Sequence, residues 1–119
     1  MQENDIGTAI VESAVHLQQD LGPGLLATVY EVTLARKLEK RGFSVQRQGP
    51  IPIEEGFRAD RIVERKVIVE LKSAEKMHPA HKQQLRTYLR RTGMKLGYLL
   101  NFGEALMKDG ITRSNHGEL

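Results

Sequence analysis

The chain has 119 residues, 39% hydrophobic and 28% charged, which suits one globular domain with a real core and excludes a disordered polymer. It holds no cysteine, so disulfides and thiolate metal sites are excluded, and its net charge of +3 permits contact with a phosphate backbone without demanding it. Aromatic residues make up 5%, too few for a platform that stacks single-stranded bases, and no stretch approaches the roughly 20 apolar residues of a membrane span. The start Met1-Gln2-Glu3-Asn4-Asp5 is acidic and polar, the wrong opening for a secretory signal, so a cytoplasmic location without membrane contact is expected.

Apolar residues at Ile6, Ile10, Ala14, Leu17 and Leu21 carry helical spacing and predict a first helix over 6–21. Gly22-Pro23-Gly24 breaks it. A second helix is predicted over 25–41, with Leu26, Val29, Tyr30, Leu34 and Leu38 as its apolar stripe and Gly42 just past its end. Arg36, Lys37, Lys40 and Arg41 suit the negative end of that helix's dipole. Phe43-Ser44-Val45-Gln46 alternates like a strand, and Pro50 and Pro52 confine the next piece to a sheet edge or an irregular segment. Residues 57–63 and 66–71 read as two strands joined at Glu64-Arg65. A third helix is predicted over 79–92, with Pro79 in its first turn and Gly93 as its stop. Residues 95–102 read as another strand, and the polar tail after Gly110 is expected to fray. The expected architecture is a single α/β domain over 1–119, with helices packed on the faces of a mixed, mostly antiparallel sheet.

The two middle strands can be registered from their own pattern. If the connection centres on Arg65, Ile62 lies opposite Ile68 and Asp60 opposite Glu70, all on one face, while Ala59, Val63, Val67, Val69 and Leu71 share the other. A register centred between Glu64 and Arg65 would mix the two faces. Two opposed carboxylates repel, which forces a proton onto one of them unless a cation intervenes. Lys72 lies two residues beyond Glu70 and emerges on the same face. Hard oxygen ligands of this kind suit Mg²⁺ or Mn²⁺, beside which a lysine can position the attacking water or neutralise charge on a phosphate. The same residues would also make a plain structural ion-pair cluster if Lys72 and Arg58 neutralise the acids. Spacing alone does not separate the two readings.

Phe57-Arg58-Ala59-Asp60, Val67-Ile68-Val69-Glu70-Leu71-Lys72 and Gln84-Leu85-Arg86-Thr87-Tyr88-Leu89 together resemble the Asp…Glu-x-Lys…Gln signature of PD-(D/E)XK nucleases. Leu21-Gly22-Pro23-Gly24-Leu25-Leu26 and Lys95-Leu96-Gly97-Tyr98-Leu99-Leu100-Asn101-Phe102 narrow the likeness to the GxxExxY family, over about residues 16–110. The resemblance implies a restriction-endonuclease-like core in which Asp60 and Glu70 ligate Mg²⁺ or Mn²⁺ with the Leu71 carbonyl. It also implies that Lys72 is the catalytic lysine and that Gln84 supports the site. The implied activity is metal-dependent hydrolysis of nucleic-acid phosphodiester bonds, with DNA ahead of RNA as substrate. Two departures stand out. Gly24-Leu25-Leu26-Ala27-Thr28-Val29-Tyr30 has Ala27 where the family motif has glutamate, and the stretch 51–57 looks shorter than in relatives. Glu31, one helical turn beyond Ala27, is an accessory candidate that also reads as a solvated helix charge. Ala27 motivates the alternative of a weak or inactive nuclease-fold protein acting as a nucleic-acid-binding or assembly module, and an open sheet edge leaves room for a homodimer.

Lys82, Arg86 and Arg90 recur every four residues as a basic stripe, a candidate path for a nucleic-acid backbone or simply a solvated helix face. His16, His78, His81 and His116 show no metal-binding pattern. His81 falls on the inward side of its helix, either near the acidic cluster or packed and hydrogen-bonded.

Overall fold

The computed structural model describes residues 1–47 and 59–119. Helix α1 (Glu3–Leu21) begins three residues before its first apolar anchor, with Glu3 and Asp5 in the first turn where the positive end of the dipole favours them. Ile6, Ile10, Ala14 and Leu17 are buried as their spacing predicts, whereas Leu21 is exposed. Helix α2 (Ala27–Lys40) starts later than expected and buries Tyr30, Leu34 and Leu38. Leu26 and Val29, assigned to its apolar stripe, are instead exposed, because Leu26 precedes the first helical turn. Between the helices Gly22 and Gly24 hold φ of 78° and 85°, angles that a side chain would strain. Gly24 N–H donates to the Phe102 carbonyl at 3.1 Å, and the Tyr30 hydroxyl donates to the Gly22 carbonyl at 2.6 Å.

Among the described residues five strands form one sheet, in spatial order β1-β2-β3-β4-β5: β1 (Val45–Arg47), β2 (Arg61–Val63), β3 (Val67–Lys72), β4 (Leu96–Asn101) and β5 (Ile111–Asn115). Helix α3 (Pro79–Thr92) occupies the span predicted for it and forms the crossover between the parallel pair β3 and β4. All the other neighbouring pairs are antiparallel. β3 and β4 are covered on both faces, which is why both are nearly continuous apolar runs. On one face α1 and α2 pack over Val63, Val67, Val69, Leu71, Leu96, Tyr98 and Leu100. On the other, α3 packs Leu85, Tyr88 and Leu89 over Ile62, Ile68 and Leu99.

The β2–β3 hairpin has the predicted register, with Ile62 opposite Ile68 and Val63 opposite Val67. Its connection leaves Glu64, Arg65 and Lys66 between the paired Val63 and Val67, with Glu64 and Arg65 at φ of 53° and 57°, left-handed backbone that usually takes glycine, and the Lys66 N–H donating to the Val63 carbonyl at 3.0 Å. Three expectations fail. The tail after Gly110 is not frayed: β5 pairs with β4 from Leu100–Ile111 to Leu96–Asn115 and closes what would otherwise be an open hydrogen-bonding edge. Ala59 packs on the α3 side with Ile62, because the chain bends at Asp60 and strand alternation stops there. For the same reason Ala59 and Asp60, expected in the strand over 57–63, lie outside the β2 ladder, which is Arg61–Val63. Phe57, Arg58, the Pro50–Pro52 piece and the shortened stretch lie outside the described residues.

Candidate active site

The site forms where β2 leaves β3. Ladder pairing ends at Arg61–Val69, and the next turn of chain carries Asp60 across the gap. There Asp60 Oδ2 accepts the Leu71 N–H at 2.9 Å, taking the place of a ladder partner. A strand residue points its N–H and C=O to the same side, so the Leu71 carbonyl faces the same opening. On the opposite side β3 stays pinned to β4 to its last residue: Lys72 lies opposite Asn101 and its carbonyl accepts the Phe102 N–H at 2.8 Å. Asn101 tightens this end, donating from Nδ2 to the Ala74 carbonyl and accepting at Oδ1 from Ala74 and Gly103 N–H groups, each at 3.0 Å.

Glu70 shares the face of Ile68 and is 3% exposed. Burial, then the charge of Asp60 and a hydrogen bond with its carboxylate, push the Glu70 carboxyl up to about 9, with Lys72 opposing. The expected ladder pair of Asp60 with Glu70 does not form, since pairing stops at Arg61–Val69, but the bend at Asp60 still sets its carboxylate against the Glu70 carboxyl. Glu70 Oε1 is buried and has no hydrogen-bond partner among the described residues. Lys72, the last residue of β3, is half-buried and close enough to act electrostatically on Glu70, on Glu31 and on His81.

Glu31 is not a solvated helix charge. It is buried at 9% exposure on α2, with Oε2 3.8 Å from Arg61 Nη2. Its carboxyl is raised, first by burial and then by Asp60, with Arg61 and Lys72 opposing. Arg61 is itself buried and donates from Nη1 to the Asp60 carbonyl at 2.7 Å. Burial lowers its pKa, Glu31 opposing. Sequence reasoning missed Arg61, although a signal existed: it occupies the alternation class of Val63, Val67 and Val69, an apolar face where an arginine needs a partner. Ala27 is the first residue of α2, one turn before Glu31.

The remaining candidates divide. Gln84 is exposed on α3 and donates from its amide to the Tyr88 hydroxyl at 2.6 Å; Tyr88 packs with Ala59 and Ile62 on the side of the acidic site. Lys82, Arg86 and Arg90 are all exposed, on the opposite flank of the same helix. Arg86 and Arg90 line a groove with Leu89, Asn115 and His116 towards β5, so the basic stripe faces away from the acids.

The donors are of the kind a small hard cation takes: two neighbouring carboxyls, one raised chiefly by burial, and a backbone carbonyl facing the same gap. Among the described residues no three His, Asp or Glu side chains stand close enough together to hold a metal. The described helices include none long and apolar enough to cross a membrane.

The sequence profile of the PD-(D/E)XK nuclease superfamily matches residues 4–114. No curated protein matches the sequence. Among solved structures the chain is similar to an alkaline exonuclease, LHK-Exo, from Laribacter hongkongensis, with 21% identity and a TM-score of 0.46. The match covers 70% of this chain and 52% of that one, so the chain spans about half the exonuclease's length.

Proposed function

This chain belongs to the PD-(D/E)XK nuclease superfamily, and from that premise we propose that it hydrolyses phosphodiester bonds of nucleic acid with Mg²⁺ or Mn²⁺, DNA ahead of RNA. The carrying observation is the buried Glu70 carboxyl, raised to about 9 against Asp60 at the point where two strands part. A folded protein tolerates such a pair at a cost in stability, and sites of this kind are where function resides. Asp60, Glu70 and the Leu71 carbonyl would hold the cation, which when bound polarises a phosphoryl oxygen and acidifies water. Asp60 is oriented by the Leu71 N–H, which holds its carboxylate at the gap. Lys72, which acts electrostatically on Glu70, would orient the attacking water or neutralise charge building on the phosphate. Gln84 and Tyr88 form the α3 wall on that side.

The test is cleavage of a mixed panel of DNA and RNA with each metal, run beside Lys72→Ala. Metal-dependent cleavage by the natural chain and its loss in the variant is the expected result. Equal activity in both would trace the cleavage to a contaminant and remove the enzyme reading.

A second reading, a binding or assembly module without activity, is favoured by Ala27 and by the engagement of Glu31 with Arg61. Calorimetry separates the two. No Mg²⁺ or Mn²⁺ binding at millimolar concentration favours the module.

A further inference from the structure

The positive surplus of the chain comes from one stretch. Lys and Arg number 18 against 15 Asp and Glu, yet residues 76–103 hold six of the former and none of the latter. Helix α3 occupies the middle of that stretch, with Lys82, Arg86 and Arg90 exposed in one row. Like charges four residues apart on a helix repel and weaken it, whereas a helix face laced with salt bridges alternates in sign. Among the described residues the ion pairs join Lys37 to Asp20, Arg41 to Glu12, Arg47 to Glu39 and Arg61 to Glu31, and none reaches this row.

The row borders a groove. Gln83, Arg86 and Arg90 line it from α3, Asn115 and His116 line it from the end of β5, and the buried Leu89 lies between them. Both walls are held by the fold. Asn115 pairs with Leu96 in the ladder, and the His116 N–H donates to the Lys95 carbonyl at 2.9 Å. Arg90 Nη2 donates to Thr87 Oγ1 at 3.3 Å, which steadies that guanidinium. Asn115 Oδ1 accepts from Arg113 Nε at 3.2 Å, so its side-chain oxygen is engaged and its amide nitrogen is left to donate. Among the described residues the lining holds two guanidiniums, two side-chain amides and an imidazole, and no carboxylate. Donors of this kind suit an anion, and guanidinium forks match phosphate oxygens two at a time.

We propose that the groove between α3 and the end of β5 seats a phosphate of a nucleic-acid backbone, at a point on the strand away from the bond that the acidic site receives. The inference rests on the phosphodiesterase reading for the identity of the ligand, and adds a second, metal-independent hold on it. Contacts to phosphate carry no sequence information, so this hold is indifferent to base sequence and weakens with salt.

The test is fluorescence anisotropy of labelled ten-nucleotide DNA and RNA strands in EDTA, where no metal links strand and acidic site, across a series of NaCl concentrations. Arg86→Gln/Arg90→Gln is expected to bind roughly tenfold more weakly at low salt. The slope of log affinity against log salt should shrink by about 1.4, from two contacts at about 0.7 each on a single strand. Arg36→Gln/Lys40→Gln removes the same charge from exposed positions of α2 and should keep both values close to those of the natural chain. Arg86→Lys/Arg90→Lys should keep the slope and lose part of the affinity, because lysine retains the charge without the fork. An unchanged slope in Arg86→Gln/Arg90→Gln, or equal weakening by the α2 pair, overturns the proposal. The backbone amide signals of Asn115 and His116 should move as strand is added to the natural chain, and unmoved signals overturn it without recourse to any variant. Polyglutamate of matching charge bound as tightly as DNA would make the groove an acidic-protein surface and equally overturn it. Groove binding that persists where metal brings no cleavage supports the proposal while removing the nuclease reading, so the two failures are told apart.

Discussion

Replacing Glu70 by glutamine should make the metal-free protein more stable at alkaline pH, and the size of the gain should grow with pH. Glu70 is raised from its ordinary 4.5 to about 9, chiefly by burial and then by Asp60. Between those values the folded chain holds a proton that the unfolded chain has released. Unfolding stability then changes with pH in proportion to protons bound unfolded minus protons bound folded, a negative number here. The contribution of Glu70 is therefore fully present below 4.5 and is lost as pH rises towards about 9. Each pH unit in that window is worth about 1.4 kcal/mol at most, so moving from pH 5 to pH 8 costs up to about 4 kcal/mol. Relaxation around the carboxyl lowers this, and about 2 kcal/mol is the expected change. For a domain of this size that is a melting shift on the order of 8 °C. Glutamine keeps the shape and can donate to Asp60, but carries no titrating proton. The assay is thermal and urea unfolding of both proteins in EDTA at pH 5, 6.5 and 8, read as the difference between them so that other titrating groups cancel. Millimolar Mn²⁺ at pH 8 should then raise the melting temperature of the natural chain and leave Glu70→Gln unmoved. A difference between the two proteins that stays constant across pH would refute the reasoning.

Three further perturbations test the packing. Arg65→Gly places glycine where the hairpin turn holds φ of 57°, and should stabilise by about 1 kcal/mol in urea unfolding. Gly7→Ala sets a Cβ against the Tyr98 hydroxyl and 3.2 Å from Leu96 Cδ2; it should cost about 1–3 kcal/mol, with Tyr98→Phe recovering part in a double-mutant cycle. Arg61→Met leaves Glu31 buried without its cation and should cost about 3 kcal/mol, most of which Glu31→Gln in the same chain should restore.

The elements that could be read from sequence are those whose pattern is enforced by burial. α3 needed its inward leucines and its Pro79 and Gly93 boundaries, and those alone place it. The hairpin register followed because a slip of one residue would have sent Val67 and Val69 to the wrong layer; it carries the chain as far as Arg61–Val69, and the bend beyond brings Asp60 to the end of β3. What escaped was governed by partners distant in sequence. β5 is polar because it is an edge strand, and in sequence a polar edge strand looks like a tail. Ala59 changes layer because Asp60 turns out of the strand to reach the Leu71 N–H, a bond that no local pattern encodes. Glu31 reads as a surface charge on α2 until the sheet supplies Arg61 beneath it. The family profile over 4–114 shows the superfamily, while the assignment to its GxxExxY branch stays a resemblance carried by Leu21–Leu26 and Lys95–Phe102, with Ala27 as its departure.

The charges around the gap are consistent with a site that waits for its ligands. Counted as formal charges with Glu70 protonated, Asp60 and Glu31 are balanced in number by Arg61 and Lys72, a neutral count. A divalent cation favours the ionised form of Glu70, and the loaded cluster then carries one positive charge in excess. A phosphodiester bears one negative charge, which would bring the cluster back to neutrality. On the proposed function, metal and phosphate should therefore strengthen each other's binding by the same factor, as linkage between two sites requires. Oligonucleotide affinity measured across a Ca²⁺ titration should rise with metal, and Ca²⁺ affinity should rise equally with oligonucleotide. Proton release on metal binding should be close to one per site at pH 7, since Glu70 supplies it, and should vanish in Glu70→Gln. Affinities that change independently of each other would mean that the phosphate does not meet the metal. The basic stripe of α3, on the far flank, would then be the place to look for the nucleic acid.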